Sequence, residues 1–354
     1  MAGRKRMTPL TDRRSNPMNK MTAGPPALSG SRSLILSTVC SLLLAGCSEQ
    51  SSPGEDGEAA ERVQVKLALN WFPEAEHGGY YAALVHGLYR QEGLSVEILA
   101  GGPDAPVIQR VATGAVAFGL TNADGVLNAR AAGARVVALL APYQTNPRCI
   151  MVHEHSGITA IEQLADVTLA LSQRPAFSHY LRRKYPMTGV VVVPYHGGVG
   201  QFLLKPDFAQ QAYVFSEPVI ARRQGAQVRT LMVADTGFNP YASALIARDR
   251  TLAEQPELVA AMTRASAAGW LQYLRSPEET NRHIHELNPE MDMELLAEGA
   301  RISRDLVLDG VSPGKGVGYM TAARWRILEA QMVMAGVLES GSAADSAYTN
   351  RFLP

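Results

Sequence analysis

Four short stretches hold side chains suited to recognising a small molecule. Asn70 and Trp71, with Glu76 and His77, follow the first apolar run; Thr121 and Asn122 close a later one. Ser172 and Gln173, with Ser178, follow ADVTLAL, and Tyr213 and Glu217 lie at the end of AQQAYVF and just beyond it. Aromatic faces stack on flat rings, a carboxylate accepts N–H groups, and amides and hydroxyls fix orientation. Each group also has a plainer reading. Trp71 serves equally as a core anchor at a strand end, Glu76 and His77 as a solvated helix start, and Ser172 or Ser178 as an N-cap. Glu217, between Ser216 and Pro218 directly after an apolar run, is harder to explain by packing.

Signatures of catalysis are poor. No Gly-x-Ser-x-Gly elbow, Walker loop, Gly-x-Gly-x-x-Gly fingerprint or His-Glu-x-x-His occurs. HGGVG (196–200) could bring a helix N-terminus to an anion or simply turn the chain. In HIHEL, His283 and His285 are two apart and would point to different faces of a helix. His153 and His155 share a face only if VHEH is a strand, and no third metal ligand accompanies them. No metal or cofactor is expected.

The candidate residues are positioned by alternating elements. RVQVKLALNW reads as a strand and GGYYAALVHGLYRQEGL as an amphipathic helix; SVEILAGG, AFGLTN and RVVALLAPY continue as strands separated by helical DAPVIQRVATGAV and NADGVLNARAAG. A second set runs from CIMVHEHSGI through ADVTLALS, AFSHYLRRKY, GVVVVPY, AQQAYVF and PVIARRQG to QVRTLMVADTG and ASALIARD. From Leu252 the signals turn helical, beginning with TLAEQPELVAAMTRASAAGWLQYLRS and ending with TAARWRILEAQMVMAGVL. This pattern predicts an α/β protein with two lobes, each a mostly parallel sheet flanked by helices. Residues 63–148 and 245–354 would form the first lobe, with the C-terminal segment packing back onto it, and 149–244 the second. Ligands of such sheets bind beyond the carboxyl ends of the strands, so the four stretches would rim one cleft.

The chain of 354 residues has no formal net charge, but its first 46 residues hold seven Lys/Arg against one acid, leaving 26 basic and 32 acidic residues beyond them. An acidic body lacks the clustered Lys/Arg that nucleic acid requires. The basic start leads into LILSTVCSLLLAGC (34–47), a short apolar run of the kind found in secretory signals. Its end, Leu44-Ala45-Gly46-Cys47, resembles a bacterial lipobox, which would make Cys47 a lipidated membrane anchor after cleavage; a plain signal with a chance cysteine is the alternative. The basic segment is long enough for translation to start at Met18 or Met21 instead. SEQSSPGEDGEAAER (48–62) reads as a flexible tether. Cys149 is then the single cysteine of the body, so no internal disulfide is expected.

LNWFPEAEHGGYYAALVHGLYRQEGLSVEIL closely resembles the start of the periplasmic solute-binding proteins of the thiamine-pyrimidine, alkanesulfonate and nitrate group. The likeness extends through AAGARVVALLAP and SGITAIEQLADVTLALS to GVGYMTAARWRILEAQMVMAGVLES, over about residues 64–340. It implies a type II periplasmic-binding fold whose hinged lobes close on a ligand and deliver it, as a monomer, to the permease and ATPase of an ABC importer. Asn70-Trp71-Phe72-Pro73 and His77 are most similar to the branch binding thiamine-precursor pyrimidines, of formylaminopyrimidine or hydroxymethylpyrimidine type, and Tyr213 and Glu217 match its aromatic and glutamate four apart. By that resemblance Trp71 and Tyr213 would stack on the ligand and Glu217 would accept from its amine. Asn70, His77, Thr121, Asn122 and Ser178 would be lesser contacts. The related thiamine-pyrimidine synthase carries a cysteine-rich motif that this chain lacks. A sulfonate or nitrate ligand would call on HGGVG with Arg174 and Arg182.

Overall fold

The computed structural model describes residues 62–103, 105–308, 310, 314–339 and 343–354. The expected signal segment, Cys47 and all but Arg62 of the expected tether (48–62) lie outside the described residues.

Among the described residues, ten strands alternate with helices in the order expected. They are β1 (Val63–Ala68), β2 (Leu94–Leu99), β3 (Phe118–Thr121), β4 (Val136–Leu140), β5 (Arg148–His153), β6 (Thr168–Ala170), β7 (Val191–Val193), β8 (Phe208–Tyr213), β9 (Val228–Met232) and β10 (Ala244–Arg248). They divide into two five-stranded sheets, ordered β2-β1-β3-β10-β4 and β7-β6-β8-β5-β9. Each sheet carries one reversed strand. β10 pairs antiparallel with β3 and β4, and β5 does so with β8 and β9. These two are the first strands after each crossing between sheets, so the sheets are mostly parallel in direction, as the alternating pattern implies. β4, VVALL, stands at the end of its sheet but is buried at every position, with Ala138 bridged by Tyr348, which accounts for its unbroken apolar sequence.

Two expected helices are each broken. GGYYAALVHGLYRQEGL becomes helices Gly78–Val85 and Leu88–Gln91, separated where Gly87 takes a left-handed φ of 69°. The long helix from Thr251 divides into Asp249–Glu254 and Pro256–Arg275. The ring of Pro256 disfavours helical geometry at Gln255 and offers no N–H to continue the ladder, although the apolar periodicity runs through both pieces.

Helix Gly78–Val85 lies against helix Pro256–Arg275 at very short range. A Cβ on Gly78 would fall 2.0 Å from the Tyr273 ring, and one on Gly79 would fall 2.2 Å from the Trp270 ring. The paired glycines therefore admit two large aromatics to the helix backbone. Tyr80 and Tyr81 face the core, at 0% and 1% exposure.

The C-terminal helix Ala322–Met334 packs against helices beside both sheets. It touches helix Ala123–Ala131 beside the first sheet and also helix Ala176–Lys184 beside the second. One apolar cluster runs from Val126 and Leu127 through Trp325 to Ile150 and Phe177, joining both sheets. Arg324 on this helix lies 3.8 Å over the Tyr241 ring and donates to the Asn239 carbonyl at 2.8 Å. The helix thus clasps the returning segment before β10 instead of covering the first sheet alone.

Candidate binding site

Strand register brings the candidate residues together. The parallel strands β1, β3 and β8 end in or just before Asn70, Asn122 and Tyr213, while the reversed strands begin there: Ala244 pairs with Thr121 and Arg148 pairs with Tyr213. Carboxyl ends of parallel strands and amino ends of reversed strands thus meet along one edge of each sheet.

Hydrogen bonds run across this edge from one sheet to the other. Asn70 Nδ2 donates to Glu76 Oε1 at 3.1 Å, and Asn70 Oδ1 lies 3.2 Å from His77 Nε2. The Ser243 hydroxyl also donates to Glu76 Oε1. Ser243 N–H donates to Asn122 Oδ1 at 3.1 Å, and Asn122 Nδ2 donates to the Tyr213 hydroxyl at 3.1 Å. Arg148 Nη2 donates to the same hydroxyl at 3.2 Å. The Arg148 guanidinium lies 4.3 Å from the Phe177 ring centre and 4.9 Å from that of Tyr213. Stacking of this kind holds a cation without neutralising it.

Glu217 sits at the start of helix Glu217–Arg223 with Pro218 behind it. Its carboxyl accepts from the Tyr195 hydroxyl and, at 2.9 Å, from the Tyr213 backbone N–H. Burial raises its pKa, opposed by these hydrogen bonds and by Arg148. Burial likewise raises Asp124, against Arg148 and the backbone N–H groups of Gly125 and Ala176. The Cys149 thiol is pushed up by burial, which makes it an inert core group and not a nucleophile.

The expected contacts fall into three sets. Asn122, Tyr213 and Glu217 join the network between the sheets, and Asn70 joins it through Glu76. Trp71 and Thr121 are half-buried at the same edge; the Trp71 ring meets Phe72 edge-on at 5.5 Å, with Phe72 itself 48% exposed. His77 and Ser178 are the corrections. His77 is 0% exposed behind Asn70, and burial lowers its pKa, so a neutral ring steadies the Asn70 amide instead of reaching a ligand. Ser178 is also 0% exposed and spends its hydroxyl on the Ser172 carbonyl.

The other motifs lie apart from this edge. His283 meets the Tyr81 ring at 5.6 Å, and His285 Nδ1 is 2.9 Å from the Met291 carbonyl. The His153 and His155 nitrogens bond the Phe202 and Pro206 carbonyls. They lie at the far end of β5, where His153 lines a surface depression of about 500 Å³ together with Asp166 and Pro206. Arg174 and Arg182 are exposed. The cation at the site is Arg148, which sequence reasoning missed along with Tyr195, Phe177 and Ser243. A basic residue opening an otherwise apolar strand was the available signal for Arg148.

Glu74 has a separate consequence. It is 5% exposed, with the Ser216 hydroxyl 3.4 Å away, and burial, then the charges of Glu76 and Glu217, push its carboxyl well above the ordinary range. Stability from such a group is fully present below the ordinary carboxylate pKa and is lost as pH rises through the raised value. Glu74→Gln is neutral throughout. It should melt like the parent near pH ~4 and higher than the parent near pH ~8. Parallel melting curves across that range would remove Glu74 from the pH response.

A profile of the family described as "NMT1/THI5 like" matches residues 74–280. The chain belongs to that family. The riboflavin-binding protein RibY of Chloroflexus aurantiacus is 28% identical over 312 residues, covering 82% of this chain and 86% of the relative. A formylaminopyrimidine-binding protein of Halalkalibacterium halodurans is 23% identical over 318 residues, covering 87% and 95%. Among solved structures, the periplasmic aliphatic sulphonate binding protein SsuA of Escherichia coli aligns with a TM-score of 0.63 at 14% identity, covering 80% of this chain and 91% of that one. The periplasmic nitrate-binding protein NrtA of Synechocystis aligns at 0.62 and 12%, covering 82% and 87%. The fold is therefore that of the periplasmic binding proteins. All four are binding proteins, and this NMT1/THI5-like chain is a solute-binding protein for a small ligand, not an enzyme. Among the described residues no helix is long and apolar enough to cross a membrane.

Proposed function

We propose that this protein is the extracytoplasmic receptor of an ABC importer, anchored through lipid on Cys47, and that it captures a thiamine-precursor pyrimidine. Residues 63–148 with 245–354 and residues 149–244 act as the two closing lobes. One observation carries the ligand reading: the Glu217 carboxyl accepts from the Tyr195 hydroxyl and from the backbone N–H of Tyr213, the residue whose hydroxyl joins the network between the sheets. A flat heterocycle with an exocyclic amine needs this combination of ring face and acceptor. Trp71 adds a second ring face, and Asn70, Thr121 and Asn122 orient the ligand. Riboflavin and formylaminopyrimidine, which the two relatives are named for binding, both contain a pyrimidine ring, and this supports the reading.

The test is a melting screen with formylaminopyrimidine, hydroxymethylpyrimidine, riboflavin, an alkanesulfonate and nitrate, beside mass spectrometry of whatever co-purifies with the protein. A ligand that binds only the folded state raises the melting temperature by mass action. A rise with the aminopyrimidines supports the proposal, and a rise with only the sulfonate or nitrate overturns it. Membrane fractionation checks the anchor, since Cys47→Ser should move the protein to the soluble fraction.

A further inference from the structure

The hydrogen-bonding pattern around Tyr213 defines a second half of the site. Asn122 is oriented without ambiguity, because its Oδ1 accepts from the Ser243 N–H and its Nδ2 therefore faces Tyr213. The Tyr213 oxygen thus receives two donors, Asn122 Nδ2 and Arg148 Nη2. With its lone pairs taken, the phenol proton must point away from both. Arg148 has further N–H groups to offer: a guanidinium carries five, and among the described residues Tyr213 is its one side-chain hydrogen-bond partner. The guanidinium carbon lies over the Phe177 and Tyr213 rings, contacts that consume none of its remaining N–H groups. Asp124, in the first turn of helix Ala123–Ala131, acts on Arg148 by charge without forming an ion pair, so the local charge is partly balanced.

We infer that Arg148 and the Tyr213 hydroxyl form a paired donor subsite for an acceptor oxygen on the ligand, opposite the acceptor that Glu217 offers. The inference rests on the pyrimidine reading and narrows it. The preferred ligand is a flat heterocycle with an N–H donor at one end and a carbonyl or hydroxyl oxygen at the other. A ring bearing amines alone would leave the Arg148 donors unanswered in a closed cleft. Arg148 is then a specificity-determining residue, and Phe177 positions it.

The experiment measures affinities of the parent, Arg148→Met and Tyr213→Phe for formylaminopyrimidine and for the aminopyrimidine with a plain methyl group in place of the formylamino arm. Tyr213→Phe keeps the ring and removes only the hydroxyl, so it serves if Arg148→Met folds poorly. The parent should favour the oxygen-bearing probe by about tenfold or more, the worth of a hydrogen bond to a charged group. Both variants should shrink that preference below about threefold by losing more affinity for the oxygen-bearing probe than for the methyl probe. A preference that survives in both variants, or equal loss for both probes, overturns the inference. Riboflavin, with its ring carbonyls, separates the two failures. If the parent binds riboflavin but neither aminopyrimidine, the aminopyrimidine reading falls. A tenfold or greater loss of riboflavin affinity in Arg148→Met would then still uphold the donor subsite, and unchanged affinity would remove it. A parent that binds none of the three refutes both.

Discussion

Glu217→Gln is expected to weaken binding of formylaminopyrimidine by about 10- to 100-fold while leaving the melting temperature of the free protein nearly unchanged. The loss follows from charge. A hydrogen bond to an ionised acceptor contributes about 1.5–3 kcal/mol, and a neutral amide retains only part of it. The fold should tolerate the change because both present partners of Glu217 can be kept. The Gln carbonyl can accept from the Tyr213 N–H, and its NH₂ can donate to the Tyr195 hydroxyl. Calorimetric titration beside a melting curve checks both parts. Unchanged affinity would reassign Glu217 to shaping the turn after β8, and a large fall in melting temperature would make it a structural carboxylate. Tyr195→Phe, which leaves the charge but frees its position, should produce a smaller loss.

Trp270→Ala should have the largest effect on stability, about 3–5 kcal/mol for emptying a fully buried indole site. Trp270 is 0% exposed and meets Tyr80, Tyr143 and Tyr273 edge-on at 5.9, 5.3 and 6.2 Å. The glycine pair at 78–79 exists to admit this ring and that of Tyr273, so nothing on helix Gly78–Val85 can fill the space. The consequence should reach the binding site. Tyr80, edge-on to Trp270, donates to the Ser243 carbonyl at 2.7 Å, and Ser243 orients Asn122 and bonds Glu76. A thermal or urea melt reads the stability, and ligand affinity should fall with it. A variant within about 1 kcal/mol of the parent would show that the neighbouring rings collapse into the gap. Trp270→Phe should retain most of the lost stability.

The order of elements was legible because burial leaves a local periodic mark. Alternation in VQVKLA, the apolar run VVALL and the helical face of residues 256–275 each record their own surroundings, so strands and helices emerge in the right sequence. Breaks were less legible. The apolar stripe passes straight through Gln255, and only the backbone restriction imposed by Pro256 divides the helix there. Asn122, Tyr213 and Glu217 could be nominated because polar residues directly after apolar strands stand where loops of such sheets converge. His77 and Ser178 look the same in sequence, yet each is buried.

By itself, then, the amino-acid sequence determined the α/β class, the alternating elements and the strand ends from which the site is built, since all of these depend on neighbours within a few residues. Tertiary structure decided which strand ends meet. Arg148 enters the site because β5 is reversed and pairs its first residue with the last of β8, 65 positions away. His77 leaves it because Asn70 stands in front. The C-terminal helix reaches helices beside both sheets because its apolar residues share one buried cluster with Val126, Leu127, Ile150 and Phe177. Pairing and burial of this kind depend on the whole chain closing, and no window of sequence contains them.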